Sequence, residues 1–305
     1  MNKLNNNVTL IGPIYEAKIE KKVTGENSKK PGTTYLTGTL SVATNNECTN
    51  IVPIHYSYVA PIFPKSGKPN GNYEILEGIL DGKYKTIMRD GLENATIISV
   101  SSSLALNEFY SDRSGQDELV SKKRTEGGFI NVITKLPEKE EQRNRFDCAM
   151  IITNMRTIEP NEENNSPEKG IIKGAIFDYN GALLPVEFTV LHPDAINYFE
   201  SCEISNKNPL FIRVQGKQVS EVVKKELRQK AVFGEDFVRE VTNTKKDFVI
   251  TGAQEPYEFD EEVAEMLKTA VAKRETYLAT LKQQDLARKE AAVAVKQDND
   301  ETFRF

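Results

Sequence analysis

The chain contains no tryptophan, only two histidines and only three cysteines. Cys48, Cys148 and Cys202 are odd in number and widely spaced, so the sequence predicts neither a disulfide framework nor a zinc knuckle. It also lacks a G-x-x-x-x-G-K-S/T loop and a G-x-G-x-x-G motif after a strand. No apolar run approaches the length of a membrane span. These absences favour a reduced, cytoplasmic protein with no catalytic residue, cofactor, bound metal or membrane contact.

Charge is the next feature that limits the possible functions. The formal net charge is −5, which by itself argues against a nucleic-acid partner. The segment from Glu255 to Phe305 carries most of this negative charge, and the remaining body is close to neutral. Local charge therefore matters more than the total, because a ligand responds to the field of the surface it meets.

The first three-quarters of the chain has the two-residue periodicity of β-strands. Apolar residues alternate over 35–44 and again over 51–59. In the second of these strands, the residues predicted to face inward are Val52, Ile54, Tyr56 and Tyr58. A short helix is predicted over 73–80, and further strands over 95–110 and 128–135. Five strands with a helix between the third and fourth is the plan of an OB-fold barrel.

The same pattern occurs a second time. The stretch beginning at Leu36 (LTGTLSVATNNECTNIVPIHYSYVAP) is echoed by one beginning at Ile172 (IKGAIFDYNGALLPVEFTVLHP), and Gly38 matches Gly174. The closing strands also agree, as FINVIT and FVIT. A repeat as long as a domain indicates duplication of a barrel. The predicted domains are therefore OB-fold 1 over 1–137 and OB-fold 2 over 138–256.

The pattern becomes helical after Phe259. Apolar residues recur at three- and four-residue steps, which predicts an amphipathic helix over 257–296. It can pack on the second barrel or pair with another subunit, so a homo-oligomer stays possible. Residues 297–305 form an acidic tail that is predicted to be disordered. The predicted fold class is mainly β, with two OB-type five-stranded β-barrels in tandem, a C-terminal α-helix and the acidic tail.

Candidate base-stacking residues follow from strand parity. Single strands are held by cationic loops that follow the phosphates and by aromatic faces that stack on bases. Parity places Tyr56 and Phe188 in the two cores. The opposite parity points Tyr15, Tyr35, Phe177 and Tyr179 outward, with Lys173 beside the last two. An outward aromatic residue can instead cover a neighbouring domain, and that alternative stays open for each of them.

Candidate phosphate contacts are clustered in the segments that an OB-fold uses as binding loops. Lys21, Lys22, Lys29 and Lys30 flank the loop between the first two strands. The polar segment between the fourth and fifth strands carries Phe109, Tyr110, Arg113, Lys122, Lys123 and Arg124. The equivalent segment of the second repeat carries Lys224, Lys225 and Arg228. Solvated loop charge is the alternative explanation, but the recurrence of the clusters in both repeats favours phosphate contact.

The opening VTLIGPIYEAKI, followed by LTGTLSVATN and TNIVPIHY, resembles the first three strands of bacterial and bacteriophage single-stranded-DNA-binding proteins. The acidic C-terminus ending in phenylalanine resembles that family's partner-recruiting tail. The resemblance implies an OB-fold, coating of single-stranded DNA and recruitment of replication or recombination proteins by Asp298, Asp300, Glu301, Phe303 and Phe305. The chain is longer than the usual bacterial form and lacks the tryptophans that often stack on DNA. Its length, duplication and divergence suggest a phage-encoded version.

Two other functions are compatible with this organisation. OB barrels also bind proteins, so the chain could be a structural or adaptor protein. A nuclease or ligase-like enzyme ranks third, because no accompanying catalytic domain is recognisable. We therefore predict sequence-tolerant binding and protection of single-stranded DNA in replication, recombination or repair.

Overall fold

The computed structural model describes residues 4–26, 28–112, 117–160, 167–229, 233 and 237–302. Within 221–229, 239–245 and 292–302 it describes the backbone alone. The strands are β1 (Asn6–Val23), β2 (Thr34–Ala43), β3 (Ile51–Val59), β4 (Ile97–Ser111), β5 (Glu118–Val132), β6 (Asn144–Ile158), β7 (Lys169–Phe177), β8 (Leu183–Val190), β9 (Leu210–Gln229) and β10 (Phe237–Ala253). The helices are α1 (Gly71–Leu80), α2 (Ile87–Asp90), α3 (Pro193–Ser201) and α4 (Glu261–Thr302), with short 3-10 turns at Leu92–Asn94 and Glu140–Gln142.

The strands close into two five-stranded barrels of the same topology. In the first barrel, β1 pairs with β2 and β4, β2 with β3, β4 with β5, and β3 runs parallel to β5. In the second barrel, β6, β7, β8, β9 and β10 repeat these five pairings in the same order. This order, with α1 or α3 between the third and fourth strands, is that of an OB-fold. The predicted fold class is therefore confirmed for both barrels.

The glycines that aligned in the two sequence repeats occupy equivalent places in the two barrels. A Cβ on Gly38 in β2 would lie 2.0 Å from the carbonyl oxygen of Lys18, and one on Gly174 in β7 would lie 2.0 Å from that of Ile151. Gly38 also has a φ of +143°, which L side chains rarely adopt. Each barrel therefore requires glycine where its second strand crosses closely over the first.

Alternating apolar residues fill a core that runs through both barrels. Tyr56 and Phe188 are 3% and 0% exposed, which confirms their predicted place in the core. In the second barrel the Phe188 ring lies 5.1 Å from that of Phe146 and 5.8 Å from that of Phe248, between ring centroids. Strand β1 also pairs with β6, so the barrels share one ten-stranded sheet. The boundaries proposed for separate domains stay a prediction.

Helix α4 packs on the outside of the second barrel. The Asp260 carboxylate accepts a hydrogen bond from the Val263 amide at 2.8 Å and so caps the first turn. Val263 and Ala270 are buried against a second apolar cluster on the barrel surface. The helix was expected over 257–296, and it continues to Thr302. The prediction of a disordered tail is therefore wrong for 297–302, while 303–305 lie outside the described residues.

Strands β5, β9 and β10 are much longer than the sequence pattern predicted, whereas β4 agrees with the strand predicted over 95–110. Residues around Lys122 and Lys224, interpreted as loops, lie on strands β5 and β9. Their partners are Asn107 and Thr242, in regular antiparallel register. Residues 118–123 of β5 are mostly exposed, so this part of the strand lacks the alternation of buried apolar and exposed polar residues that would reveal it in the sequence.

Candidate nucleic-acid interface

A pair of tyrosines, one half-buried and one exposed, lies on the outer face of the first barrel. The rings of Tyr35 in β2 and Tyr58 in β3 have centroids 4.7 Å apart and an interplanar angle of 32°. Tyr58 is 47% exposed, so this face presents aromatic surface to solvent. The face formed by the second and third strands is the one with which OB-folds bind oligonucleotides. We call these two residues the tyrosine pair.

Tyr58 was predicted to face inward with Tyr56, and the structure corrects this. Leu36 pairs with Val59 and Gly38 pairs with Tyr56, so two residues of β3 lie opposite the single residue Thr37. This bulge shifts the alternation by one residue, which buries Val59 and turns Tyr58 outward. A bulge leaves no reliable mark in a single sequence, so parity counting missed this residue.

The lysines of the first loop divide between two sides of β1. Lys22 lies opposite Tyr35 on the outer face, and its Nζ is 2.9 Å from the Glu20 carboxylate. Lys21 points to the other side and bonds Glu77 of α1 at 2.8 Å, which raises the pKa of Lys21. Lys29 and Lys30 are exposed in the loop that joins β1 to β2. Of the four predicted contacts, Lys21 is therefore the one held away from the tyrosine pair.

The remaining aromatic candidates of the first barrel differ in exposure. Phe109 on β4 is 36% exposed, and Lys122 Nζ lies 5.9 Å from its ring centroid. Tyr110 and Tyr15 are partly buried on β4 and β1. Arg113 lies outside the described residues. The β4–β5 hairpin therefore presents a cation–aromatic pair near its tip.

Strand β5 carries the other cations of this hairpin. The Arg124 guanidinium donates hydrogen bonds of 3.2 and 2.8 Å to the Glu126 carboxylate, which also accepts one from Ser57 of β3. Lys123 instead points toward the second barrel, where its Nζ lies 5.1 Å over the Phe248 ring and bonds the Glu187 carbonyl. Burial lowers the pKa of Lys123. Lys123 thus joins the barrels, whereas Arg124 belongs to the exposed face.

In the second barrel, the two aromatic residues predicted to point outward differ in exposure. Phe177 is fully buried, because α4 and the ring of Phe211 cover it, with ring centroids 6.1 Å apart. The prediction of Phe177 as an exposed stacking residue is therefore wrong. Tyr179 is 98% exposed in the turn after β7. Lys173 lies opposite Glu187, and the two charged groups are 3.6 Å apart.

The other predicted contacts are described only in part. Lys224, Lys225 and Arg228 lie on β9, paired with Thr242, Val241 and Val238, and the structure describes their backbone alone. Asp298, Asp300 and Glu301 lie on the last turns of α4, also with the backbone alone described. Phe303 and Phe305 lie outside the described residues. The roles assigned to these residues stay predictions.

A pocket of about 350 Å³ lies where the two barrels meet, and no pattern in the sequence predicts it. We call it the junction pocket. Its polar and charged lining residues are His55, Lys122, Lys123, Arg124, Thr125, Gln218, Ser220, Lys246 and Asp247. It adjoins the outer face of β3 and β5, since His55, Lys122 and Arg124 contribute to both. A second groove of about 630 Å³ lies between Tyr179 and the 65% exposed Phe129.

The described residues were also compared with the features expected of metal-binding, disulfide-bonded and membrane-spanning proteins. Among the described residues, no three His, Cys, Asp or Glu side chains come together as a metal site. The three cysteines are all free thiols. In the part of the chain that the structure describes, no helix has the length and apolar character needed to cross a membrane.

Several solved structures resemble this fold. The wild-type single-stranded DNA binding protein from Thermus aquaticus aligns with a TM-score of 0.47 and 12% identity, covering 84% of this chain and 95% of that chain. A deletion mutant of the Thermus aquaticus protein aligns with a TM-score of 0.46 and 13% identity, covering 85% of this chain and 98% of that chain. A replication protein A heterotrimer bound to ssDNA aligns with a TM-score of 0.22 and 9% identity, covering 81% of this chain and 50% of that chain. These scores are low, so the OB assignment rests on the strand order.

The amino-acid sequence of the chain identifies its family. No match was found among curated proteins. A protein-family model described as YorF matches residues 5–284, which is most of the chain. This protein therefore belongs to the YorF family.

Proposed function

We propose that this protein binds single-stranded DNA with little dependence on base sequence and protects it during replication, recombination or repair. The observation that carries the proposal is the tyrosine pair on the β2–β3 face of an OB barrel, in which Tyr58 is exposed and Tyr35 is half-buried. Aromatic rings on such a face stack on unpaired bases, whatever the base, and contribute about 1–3 kcal/mol per base. Duplex DNA offers no free base faces, so it should bind much more weakly.

Cations on both sides of the tyrosine pair support a path for the phosphates. Lys29 and Lys30 lie in the loop before β2, and Lys122 and Arg124 lie on β5 beyond β3. Tyr35 and Tyr58 lie between these two groups on adjacent strands. A strand that crosses β2 and β3 could therefore place bases on the rings and phosphates on the cations.

Fluorescence anisotropy with labelled poly-dT and with the matching duplex, over a salt series, tests this proposal. We expect tight binding to poly-dT that weakens as salt rises, and much weaker binding to the duplex. Equal affinity for both DNAs would contradict the stacking argument. Absence of binding to poly-dT at low salt, also after removal of 298–305, would reject the proposed function.

A protein-binding adaptor is the second candidate, and one observation favours it. Several cations on the outer face are already paired, as Lys18 with Glu16, Lys22 with Glu20 and Arg124 with Glu126. A face with so many internal pairs is closer to neutral than a typical DNA-binding surface. Exposed ion pairs are weak, however, so phosphates can displace the carboxylates at little cost. The anisotropy experiment separates the two candidates.

We infer a cytoplasmic, phage-encoded protein whose acidic C-terminus recruits replication or recombination proteins, with self-association possible through α4. The acidic residues at 298, 300 and 301 and the two terminal phenylalanines support the recruiting role. Pull-down of host replication proteins by the full chain, but not by a chain lacking 298–305, tests it. Sedimentation measurements test the oligomeric state.

A further inference from the structure

The junction pocket contains a buried polar group that its own structure leaves unsatisfied. Gln218 on β9 is 5% exposed and lines the pocket. Its Oε1 accepts a hydrogen bond from the Thr125 hydroxyl at 2.8 Å, but its Nε2 has no partner among the described residues. Buried polar atoms are almost always paired, so an unpaired donor needs an explanation.

Gln218 is also held firmly in place. Its backbone amide donates to Asn144 Oδ1 at 3.0 Å, and its carbonyl accepts from Asn144 Nδ2 at 2.6 Å and from Asn50 Nδ2 at 3.0 Å. Asn50 and Thr125 belong to the first barrel's part of the chain, whereas Asn144 and Gln218 belong to β6 and β9. The free Nε2 is therefore fixed at the boundary between the barrels.

The charged groups around the pocket favour an anion. Lys122, Arg124 and Lys246 are cations in its lining, and Asp247 is the acidic residue there. Asp247 is already satisfied, because its carboxylate accepts hydrogen bonds from the Thr189 hydroxyl and the Phe248 amide. Burial lowers the pKa of His55, and Arg124 and Lys246 act in the same direction against the opposing effect of Glu126.

The hydrogen-bonding capacity of the lining narrows the chemical class further. Lysine and arginine side chains only donate, and so does Gln218 Nε2. A phosphodiester offers acceptors alone and therefore matches these donors. The volume of about 350 Å³ is at the small end of ligand sites, which are about 300–1,000 Å³. One phosphate group with part of its sugar fits these properties.

We propose that the junction pocket binds one backbone phosphate of a single strand passing from the first barrel to the second, with Gln218 Nε2 donating to a non-bridging oxygen. The inference rests on the proposed function and gives it a specific contact. Its consequence is that the two barrels act on one continuous strand. A free phosphate ion has the same chemistry, so the test below includes it as a separate source.

The test compares Gln218→Glu with Gln215→Glu on the same strand. Glutamate at 218 keeps an acceptor for Thr125 but replaces the donor with a negative group, whereas Gln215 is exposed and outside the pocket. We expect Gln218→Glu to weaken poly-dT binding about tenfold or more and Gln215→Glu to change it less than about twofold. Thermal unfolding of both variants checks the fold.

Lys246 gives a second test that does not depend on a buried substitution. It is exposed, so Lys246→Gln should fold normally. We expect Lys246→Gln to weaken poly-dT binding and to reduce the magnitude of the slope of log K against log salt concentration by about 0.7. Lys246→Arg keeps the positive charge, so its affinity and its slope should match those of the natural protein. If Gln218 and Lys246 bind the same phosphate, the variant with both Gln218→Glu and Lys246→Gln loses less poly-dT affinity than the product of the two single fold-losses. A loss equal to that product would contradict a shared phosphate.

The outcomes separate this inference from the proposed function. If the natural protein binds poly-dT and Gln218→Glu binds like Gln215→Glu, the pocket does not hold a strand phosphate and the proposed function stands. If the natural protein does not bind poly-dT, the proposed function falls, and inorganic phosphate then decides. If added phosphate raises the unfolding midpoint of the natural protein but not that of Gln218→Glu, the pocket is a phosphate site. Equal rises in the two proteins would overturn the phosphate site.

Discussion

Arg274 on α4 and Glu108 on β4 form a bidentate ion pair, with hydrogen bonds of 2.5 and 2.6 Å between guanidinium and carboxylate. Their side chains are 12% and 1% exposed. The pair links the helix on the second barrel to the long hairpin of the first. Lys289 and Asp117 add a second link at 2.8 Å. Helix α4 therefore fixes the hairpin that carries Phe109 and Lys122.

Removing Glu108 should destabilise the protein strongly. Glu108→Ala leaves the buried guanidinium of Arg274 without its counter-charge, and such a loss costs about 3–5 kcal/mol. The measurement is the shift of the urea unfolding transition. Glu118→Ala, an exposed glutamate at the end of the same hairpin, is the control and should change stability by less than about 0.5 kcal/mol. Equal shifts of the unfolding transition in the two variants would contradict a stabilising role for the ion pair between Arg274 and Glu108.

The tyrosine pair should account for much of the affinity for single strands. Tyr35→Ala and Tyr58→Ala each remove a stacking surface, so each should weaken poly-dT binding about 5- to 150-fold. The corresponding phenylalanine variants keep the ring and should bind like the natural protein. Tyr198→Ala is a control, because Tyr198 is also exposed but lies on α3. Anisotropy titrations at one salt concentration give the comparison.

The lysines of the loop between β1 and β2 should act through the phosphates. The double variant Lys29→Gln, Lys30→Gln removes two exposed charges, which should reduce the magnitude of the salt slope by about 1.4. The loss should be the same for poly-dT and for mixed sequences, because phosphates carry no base information. Lys268→Gln on α4 serves as the control. An unchanged slope would place this loop outside the interface.

The acidic C-terminus should compete with DNA. Deletion of 298–305 should tighten poly-dT binding severalfold at low salt and have little effect at high salt, since the competition is electrostatic. A second variant with Asp298→Asn, Asp300→Asn and Glu301→Gln separates charge from length. If neutralisation alone reproduces the deletion, charge is the cause. Unchanged affinity in both variants would remove any autoinhibitory role.

His55 should make stability depend on pH. Burial lowers its pKa, with Arg124 and Lys246 acting in the same direction. Because the unfolded state then binds the proton more tightly, the contribution of neutral His55 is complete above the unfolded pKa of about 6.5. It is lost as the pH falls through the lower folded pKa. Urea midpoints at several pH values should show this loss, and His55→Asn should abolish it, with His192→Asn as the control.

Much of the architecture could be predicted because it depends on local patterns. The match between Gly38 and Gly174 helped to predict a duplicated barrel, and the two glycines lie at equivalent strand crossings. The alternation that ends in Tyr56 and Phe188 predicted two cores, and both residues are buried. The short helix predicted over 73–80 occurs as α1. In each case the determining contacts lie within a strand or its immediate neighbour.

The candidate site was predicted less well, because exposure depends on distant parts of the chain. Phe177 has the parity of an outward residue, yet α4 covers it. Tyr58 has the parity of an inward residue, yet a bulge opposite Thr37 turns it outward. Lys123 reads as a loop cation but lies against Phe248 of the other barrel. The sequence contains none of these relations in a form that periodicity can reveal.

The sequence by itself determined the duplicated barrel, its core and its C-terminal helix, because burial with a period of two or of about 3.6 residues is encoded locally. Only the tertiary structure decided which outward side chains are free to meet a ligand. It also created the junction pocket, in which Gln218, Thr125 and Lys246 come together from separate strands. A surface between two barrels depends on contacts between residues far apart in the chain, and those contacts form only when both barrels have folded.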